Sequence, residues 1–304
     1  MKFQLSLNIL IYFFFLSFFI SCSKYDTSTN YSMPNSEIIY RNGWGNSLPV
    51  SINISQNFVD ATPYPDGTTK DLPTYIQNAV DIWNAAAGLT LLQIAASHDP
   101  QNGNSFTVPC SGITDRLYFP LCDNTNGIYM DLIAGPNTGW SFNTGKSSGV
   151  LATTLWLSNA SNTIILKADI RFNRDNYIFL NAKNNQLTGD TTSENSTIKT
   201  YVDLQSVVTH EIGHLLGLSH IQTSSSIMFP SMTIGLNQTH RCLNNGDIDS
   251  IRTIYKGGVA ADITTIQNKC GGTVTSLKNA SDENEFSTLK NNPWKTRNLY
   301  YGQM

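Results

Sequence analysis

His210-Glu211-Ile212-Gly213-His214-Leu215-Leu216-Gly217-Leu218-Ser219-His220 is the stretch on which the reading of this 304-residue sequence turns. Its first five residues are H-E-x-x-H. On a helix, a four-residue step turns through about 400° and rises about 6 Å, so His210 and His214 project from one face and can close on one metal ion. Glu211 is rotated about 100° from His210, which sets its carboxylate beside such an ion, where a general base is needed. Gly217 can take a positive φ and end the helix, so that His220 supplies a third nitrogen from outside it. Three imidazoles leave the fourth position of a tetrahedral zinc site open for water. A lone H-E-x-x-H is weak, because helical histidine pairs are usually surface or core residues. The added glycine and third histidine specify five positions in one window and favour the metal. The two remaining histidines, His98 in a polar loop and His240 beside Cys242, read as surface residues.

Working outward, the motif lies on a long helix with Thr200 and Asp203 spaced as a capping box and Leu204, Val207, Val208, Leu215 and Leu218 along its apolar side. Upstream, Val50–Ile54 alternates like a half-buried strand, and a helix runs from Asp71 and Pro73 through Ile76, Ala79, Val80 and Trp83 to a stop at Gly88. Gly127–Ile133, Val150–Leu157 and Ile164–Phe172 read as strands, and Asn181–Ser196 as a polar loop. A final helix spans Asn245–Tyr255, with Ile248, Ile251 and Ile254 on one side. The tail from Lys256 is polar and reads as peripheral.

The N-terminus indicates export. Lys2 precedes an apolar run from Ile9 to Ile20, and Ser21-Cys22-Ser23 follows it, the pattern of a signal peptide. Twelve residues are short for a membrane span, although counting back to Leu5 lengthens the run to a potential anchor. Residues 23–36 are Ser/Thr/Asn-rich and suit a flexible tether. With 19 Lys+Arg against 22 Asp+Glu and no basic cluster, the chain is a poor candidate for nucleic-acid binding. Its 40% apolar and 11% aromatic content argues against wholesale disorder. Setting Cys22 aside leaves Cys110, Cys122, Cys242 and Cys270, which allow three pairings. Proximity favours Cys110 with Cys122 and Cys242 with Cys270, and the absence of a C-x-x-C spacing weighs against a cysteine zinc site.

The His210–His220 segment resembles the H-E-x-x-H-x-x-G-x-x-H signature of the metzincin zinc proteases. Ser225-Ser226-Ile227-Met228-Phe229-Pro230 resembles the Met-turn of their matrixin branch, with Met228 beneath the metal. Asp203–Val208 precedes the motif as in matrixins, and Leu243–Tyr255 is similar to their closing helix, with Asp247 at the position that ties it to the Met-turn. Gly149–Ala152 resembles the edge strand that holds an extended peptide, and Ala168–Asn173 the strand after it. The resemblance covers about Ile38 to Tyr255. It departs at Ile221, where matrixins commonly have a small polar residue. It departs also in lacking the histidines of a second, structural zinc and a cysteine-switch propeptide, so that site and thiolate inhibition are not expected. Phe19-Ile20-Ser21-Cys22 resembles a bacterial lipobox with Phe19 in place of the usual Leu. It implies a lipid on Cys22, with simple cleavage and release as the alternative.

The resemblance implies an α+β, metzincin (zincin-like) catalytic domain: a twisted, mostly parallel sheet, an active-site helix, a Met-turn and a C-terminal helix. The expected organisation is a signal peptide over 1–21, a lipidated tether over 22–36, a matrixin-like domain over 37–256 and an extension over 257–304. It implies a zinc-dependent endopeptidase of extracellular proteins, exported to the cell surface or outer membrane, or else secreted. His210, His214 and His220 would be its ligands, Glu211 its general base, Leu151 and Ala152 its peptide-holding strand, and Met232 the lining of an apolar pocket. The rival is a surface adhesin that keeps the fold without turnover; its mark would be a lost base or ligand, and all four are present. Calcium is a further candidate at Asp131, Asp169 or Asp175, although solvated loop carboxylates are the favoured reading there.

Overall fold

The computed structural model describes residues 42–59, 72–96, 125–131, 139–183, 187, 189–194, 196–256, 266, 268–270 and 299–300. Cys22, His98, Cys110 and Cys122 lie outside them, as do the leader and the tether. Among the described residues, no helix is long and apolar enough to cross a membrane.

Five strands form the main sheet: β1 (Val50–Ile54), β2 (Leu92–Ile94), β3 (Gly127–Asp131), β4 (Ala152–Ser158) and β5 (Ile165–Asn173), in the order β2-β1-β3-β5-β4. All neighbours are parallel except β4, which runs antiparallel to β5 along one edge. Parallel strands are covered on both faces, which explains why β3 is buried at every position and β5 at all but one. Between β1 and β2 lie α1 (Gln56–Val59) and α2 (Leu72–Ala87), the latter ending at Gly88 with φ +68°. A short α3 (Trp140–Thr144) precedes β4.

The segment after β5 differs from its sequence reading. Tyr177–Leu180 (β6), Thr191–Glu194 (β7) and Thr197–Asp203 (β8) form a second sheet, ordered β6-β8-β7, where a loop and the start of a helix were expected. β6 is wholly buried and pairs parallel with β8, whereas β7 lies on the outside with no apolar alternation to betray it. The two sheets meet through Phe172 of β5 and Phe179 of β6, edge-on with ring centroids 5.0 Å apart.

The active-site helix α4 (Leu204–Leu215) starts directly from β8. Asp203, expected inside a capping box, is itself the N-cap: its carboxylate accepts the backbone N–H of Ser206 at 3.0 Å, while Thr200 stays in the strand. The buried Asp203 is also paired with Arg241. Trp83 of α2 donates its indole N–H to Thr209 O of α4 at 2.8 Å, fixing the two helices against each other. The closing helix α5 (Asn245–Ile254) carries the capping box that α4 lacks, between Asn244 and Asp247.

Beyond α5 the chain is not merely peripheral. Ile266 and Cys270 are buried, Cys270 is bonded to Cys242, and Lys269 O accepts from Gln205 of α4. Leu299–Tyr300 (β10) pairs antiparallel with Ser231–Met232 (β9). Of the aspartates read as solvated loop carboxylates, Asp131 and Asp169 are buried in strands and Asp175 is half-buried. Asp131 is paired with Arg171, Asp169 accepts Gly127 N at 2.6 Å, and Asp175 accepts Trp140 N at 2.6 Å.

Candidate active site

His210, Glu211 and His214 share one stretch of α4 and are all buried. Past Leu215 the helix ends, and Gly217 takes φ +104°, the left-handed turn that only glycine makes without strain. The redirected chain brings His220 back to the pair. Ring centroids lie 4.7 Å apart for His210 and His214, 4.8 Å for His214 and His220, and 5.2 Å for His210 and His220.

The outer nitrogens of the helical pair are committed. His210 Nδ1 donates to Ile227 O at 2.7 Å, and His214 Nδ1 donates to Leu218 O at 2.8 Å. This fixes each tautomer with the Nε2 lone pair facing inward, the usual arrangement for a ligating imidazole. Nε2 of His214 and of His220 are buried without a hydrogen-bond partner among the described residues. One ligand atom from each of the three rings falls within 4.8 Å of the others. Burial lowers all three pKa values, to about 4 for His214, to about 3 for His220 and well below the ordinary range for His210. Neutral imidazoles are what a metal requires, and three of them suit zinc.

Glu211 follows His210 on the same helix and is fully buried. Burial pushes its carboxyl up to about 8, against a lowering hydrogen bond from Thr154 and the positive charge of Lys146. Its Oε2 accepts from Thr154 Oγ1 at 2.6 Å, while Oε1 is buried without a partner among the described residues. Beside a divalent cation such a carboxyl regains its charge.

Met228 is fully buried and packs against α4 at Gly213. A Cβ on Gly213 would stand 2.2 Å from Met228 Sδ and 2.9 Å from Trp83, so this position of α4 must be glycine for the turn to approach. The turn is tied from below by Asp247: Ser226 Oγ donates to it, Ile227 N donates at 3.0 Å and Asn244 N at 2.8 Å. Ile221 N in turn donates to Met228 O at 3.0 Å.

Several supports carried no signal in the motif. Trp156 Nε1 donates to His214 O, Trp44 Nε1 to Leu215 O, both at 2.9 Å, and the Tyr255 hydroxyl to Leu216 O at 2.9 Å. These satisfy the carbonyls that a helix leaves open at its C-terminus. The expected peptide-holding residues lie on β4 or just before it. Leu151 O accepts Asn173 N and is turned into the sheet, so by the alternation of an antiparallel ladder Ala152 and Thr154 direct their backbone groups to the outer edge. Met232 is buried in β9. His240 is half-buried rather than a surface residue, its Nε2 3.3 Å from Ser225 O.

Residues 136–256 match the matrixin family. That segment holds the edge strand, α4, the three histidines, the Met-turn and α5, so the matrixin match and the geometry coincide. The chain is similar over short stretches to metalloendoproteinases. It is 48% identical over 54 residues to metalloendoproteinase 2-MMP of Arabidopsis thaliana, which is 18% of this chain and 14% of that protein. To metalloendoproteinase 5-MMP of the same plant it is 43% identical over 65 residues, 21% and 18% of the two chains. To stromelysin-2 of Rattus norvegicus it is 33% identical over 60 residues, 20% and 13%. The similarity thus spans less than a fifth of each of these relatives. The mostly parallel sheet with its antiparallel edge strand agrees with that match over 136–256.

Proposed function

We propose that this chain is a zinc endopeptidase of the matrixin type acting on extended segments of extracellular proteins. The observation that carries the reading is the closed group of three neutral imidazoles, two of them on the helix that also carries Glu211, whose second oxygen is buried and uncommitted among the described residues. His210, His214 and His220 would hold the ion through Nε2. Zinc bound there would supply a Lewis acid for the scissile carbonyl and acidify a water molecule. Glu211 accepts the proton of the attacking water at Oε1 and returns it to the departing amide nitrogen. The outer edge of β4, presented by Ala152 with Leu151 before it, receives the substrate backbone as an added strand, which selects for an unfolded segment more than for a sequence. Met232 gives the neighbouring wall an apolar character. We further propose that Cys22 carries a lipid that holds the domain at the cell surface; calcium, the lesser candidate at Asp131, Asp169 and Asp175, would have to compete with the protein groups that these aspartates already bond.

Cleavage of a denatured protein substrate by parent and Glu211→Ala tests the base: activity should fall at least about a hundredfold, and equal cleavage would sink the assignment. Metal analysis of the purified chain should find about one zinc, and none bound at neutral pH would refute the ligand set. Mass spectrometry of the membrane-extracted protein should show an acyl modification on Cys22; a free N-terminus beyond it overturns the anchor.

A further inference from the structure

Thr154 occupies a position that the H-E-x-x-H motif does not specify. It lies in β4, paired in register with Ile170, and is 1% exposed. Alternation along the strand puts Ala152, Thr154 and Trp156 on the face that meets α4, where Trp156 caps His214 O and Thr154 reaches Glu211. The threonine hydroxyl has one proton and two nearby acceptors: Glu211 Oε2 at 2.6 Å and Glu211 O at 3.0 Å. The shorter contact is to the carboxyl, where a hydroxyl bond becomes roughly twice as strong once the group is ionised. The carboxylate is thereby held by one oxygen while the other, Oε1, is buried and uncommitted. A glutamate end group otherwise turns broadly about its last torsion.

We propose that Thr154 is a positioning residue for the general base: its hydroxyl clamps Oε2 of Glu211 and so leaves Oε1 as the oxygen that meets the reacting water. The same residue turns its backbone to the outer edge of β4, so one strand both receives the peptide and sets the base. This rests on the endopeptidase reading of the site. A β-branched side chain suits the task because its χ1 is stiff, and threonine is the β-branched residue with a donor.

Three variants test it. Thr154→Val keeps the branch and removes the donor, Thr154→Ser restores the donor, and Thr154→Ala removes both and leaves space. Thr154→Val should lower kcat about ten- to a hundredfold with KM changed less than about twofold, since a misaligned base costs the chemical step and not binding. Thr154→Ser should recover most of that loss. Zinc content should remain at about one per chain in every variant, and a crystal structure of Thr154→Val should show the Glu211 carboxylate in more than one orientation. Equal kcat for Thr154→Val and Thr154→Ser, a loss residing in KM, or an unmoved Glu211 in the crystal overturns the proposal. If Thr154→Val does not fold, Thr154→Ala against Thr154→Ser carries the same comparison. Failure of the underlying reading looks different: the parent itself would be inactive or indifferent to Glu211→Ala.

Discussion

At Gly213 a single hydrogen in place of a methyl decides how closely Met228 can pack against α4. Met228 Sδ and the Trp83 ring stand in the volume that a Cβ would need, and Trp83 is held in place by its hydrogen bond to Thr209 O of α4. Gly213→Ala is therefore expected to destabilise the protein by about 1–3 kcal/mol despite the better helix propensity of alanine, which would by itself stabilise by about 1 kcal/mol. Urea denaturation of parent and variant decides it; an alanine variant as stable as the parent means that this packing is looser than these contacts indicate. The grouping of His210, His214 and His220 was legible in the sequence because helical spacing and the Gly217 turn bring them together. Thr154, Trp156 and Trp44 were not, since each reaches α4 across the fold from a strand or loop 50 or more residues away, and no local period records such a contact.

At the scale of elements, the strand-to-helix junction at Asp203 concentrates several demands on one carboxylate. It caps α4, receives the Ala182 backbone at 3.1 Å and neutralises Arg241, all at zero exposure. Arg241→Met removes the partner and leaves a buried charge, which should cost about 3–5 kcal/mol in a denaturant titration; a loss under about 1 kcal/mol would show that the cap bonds alone suffice. The helix start was misplaced from sequence by this same residue, because Thr200-x-x-Asp203 satisfies a capping pattern that the parallel pairing of β8 with β6 overrides. The outer strand β7 is held differently, by Glu194 bonded to both guanidinium nitrogens of Arg174, at 2.6 and 2.7 Å, and to Lys199 at 2.8 Å. The Arg174 hydrogen bonds foremost bring the Glu194 pKa down to about 2. A pKa depressed in the folded state means stability that is fully present above about pH 4.5 and lost as pH falls toward about 2. Glu194 is partly solvent-screened, so its contribution is discounted to on the order of 1 kcal/mol. Denaturation of parent and Glu194→Gln at pH 7 and pH 3 should show a gap that narrows on acidification, and a gap of constant size would refute the linkage.

Across the whole molecule, the segment that carries the three histidines is flanked on both sides by structure that the motif alone does not require. The β1–β3 part of the sheet and α2 precede the matched residues 136–256, and Ile266 and Cys270 follow them. Proximity in the sequence suggested pairing Cys242 with Cys270, a bond that the structure contains. What composition could not convey is that this bond fastens the segment after α5 to the framework of the site: Lys269 O accepts from Gln205 in the first turn of α4, and Lys269 Nζ reaches Asp81 of α2 at 2.8 Å. A cross-link spanning 28 residues restricts the unfolded chain by about 3–4 kcal/mol in the loop-entropy account. Whether that stabilisation is felt globally depends on whether the segment melts with the domain or frays ahead of it. Burial of Ile266 and Cys270 in the same core as α4 places it inside the cooperative unit. Replacing both cysteines by serine should then lower the midpoint of a single unfolding transition, read alike by tryptophan fluorescence and circular dichroism. An unchanged midpoint with faster amide exchange confined to 266–270 would instead make the segment a separately fraying arm.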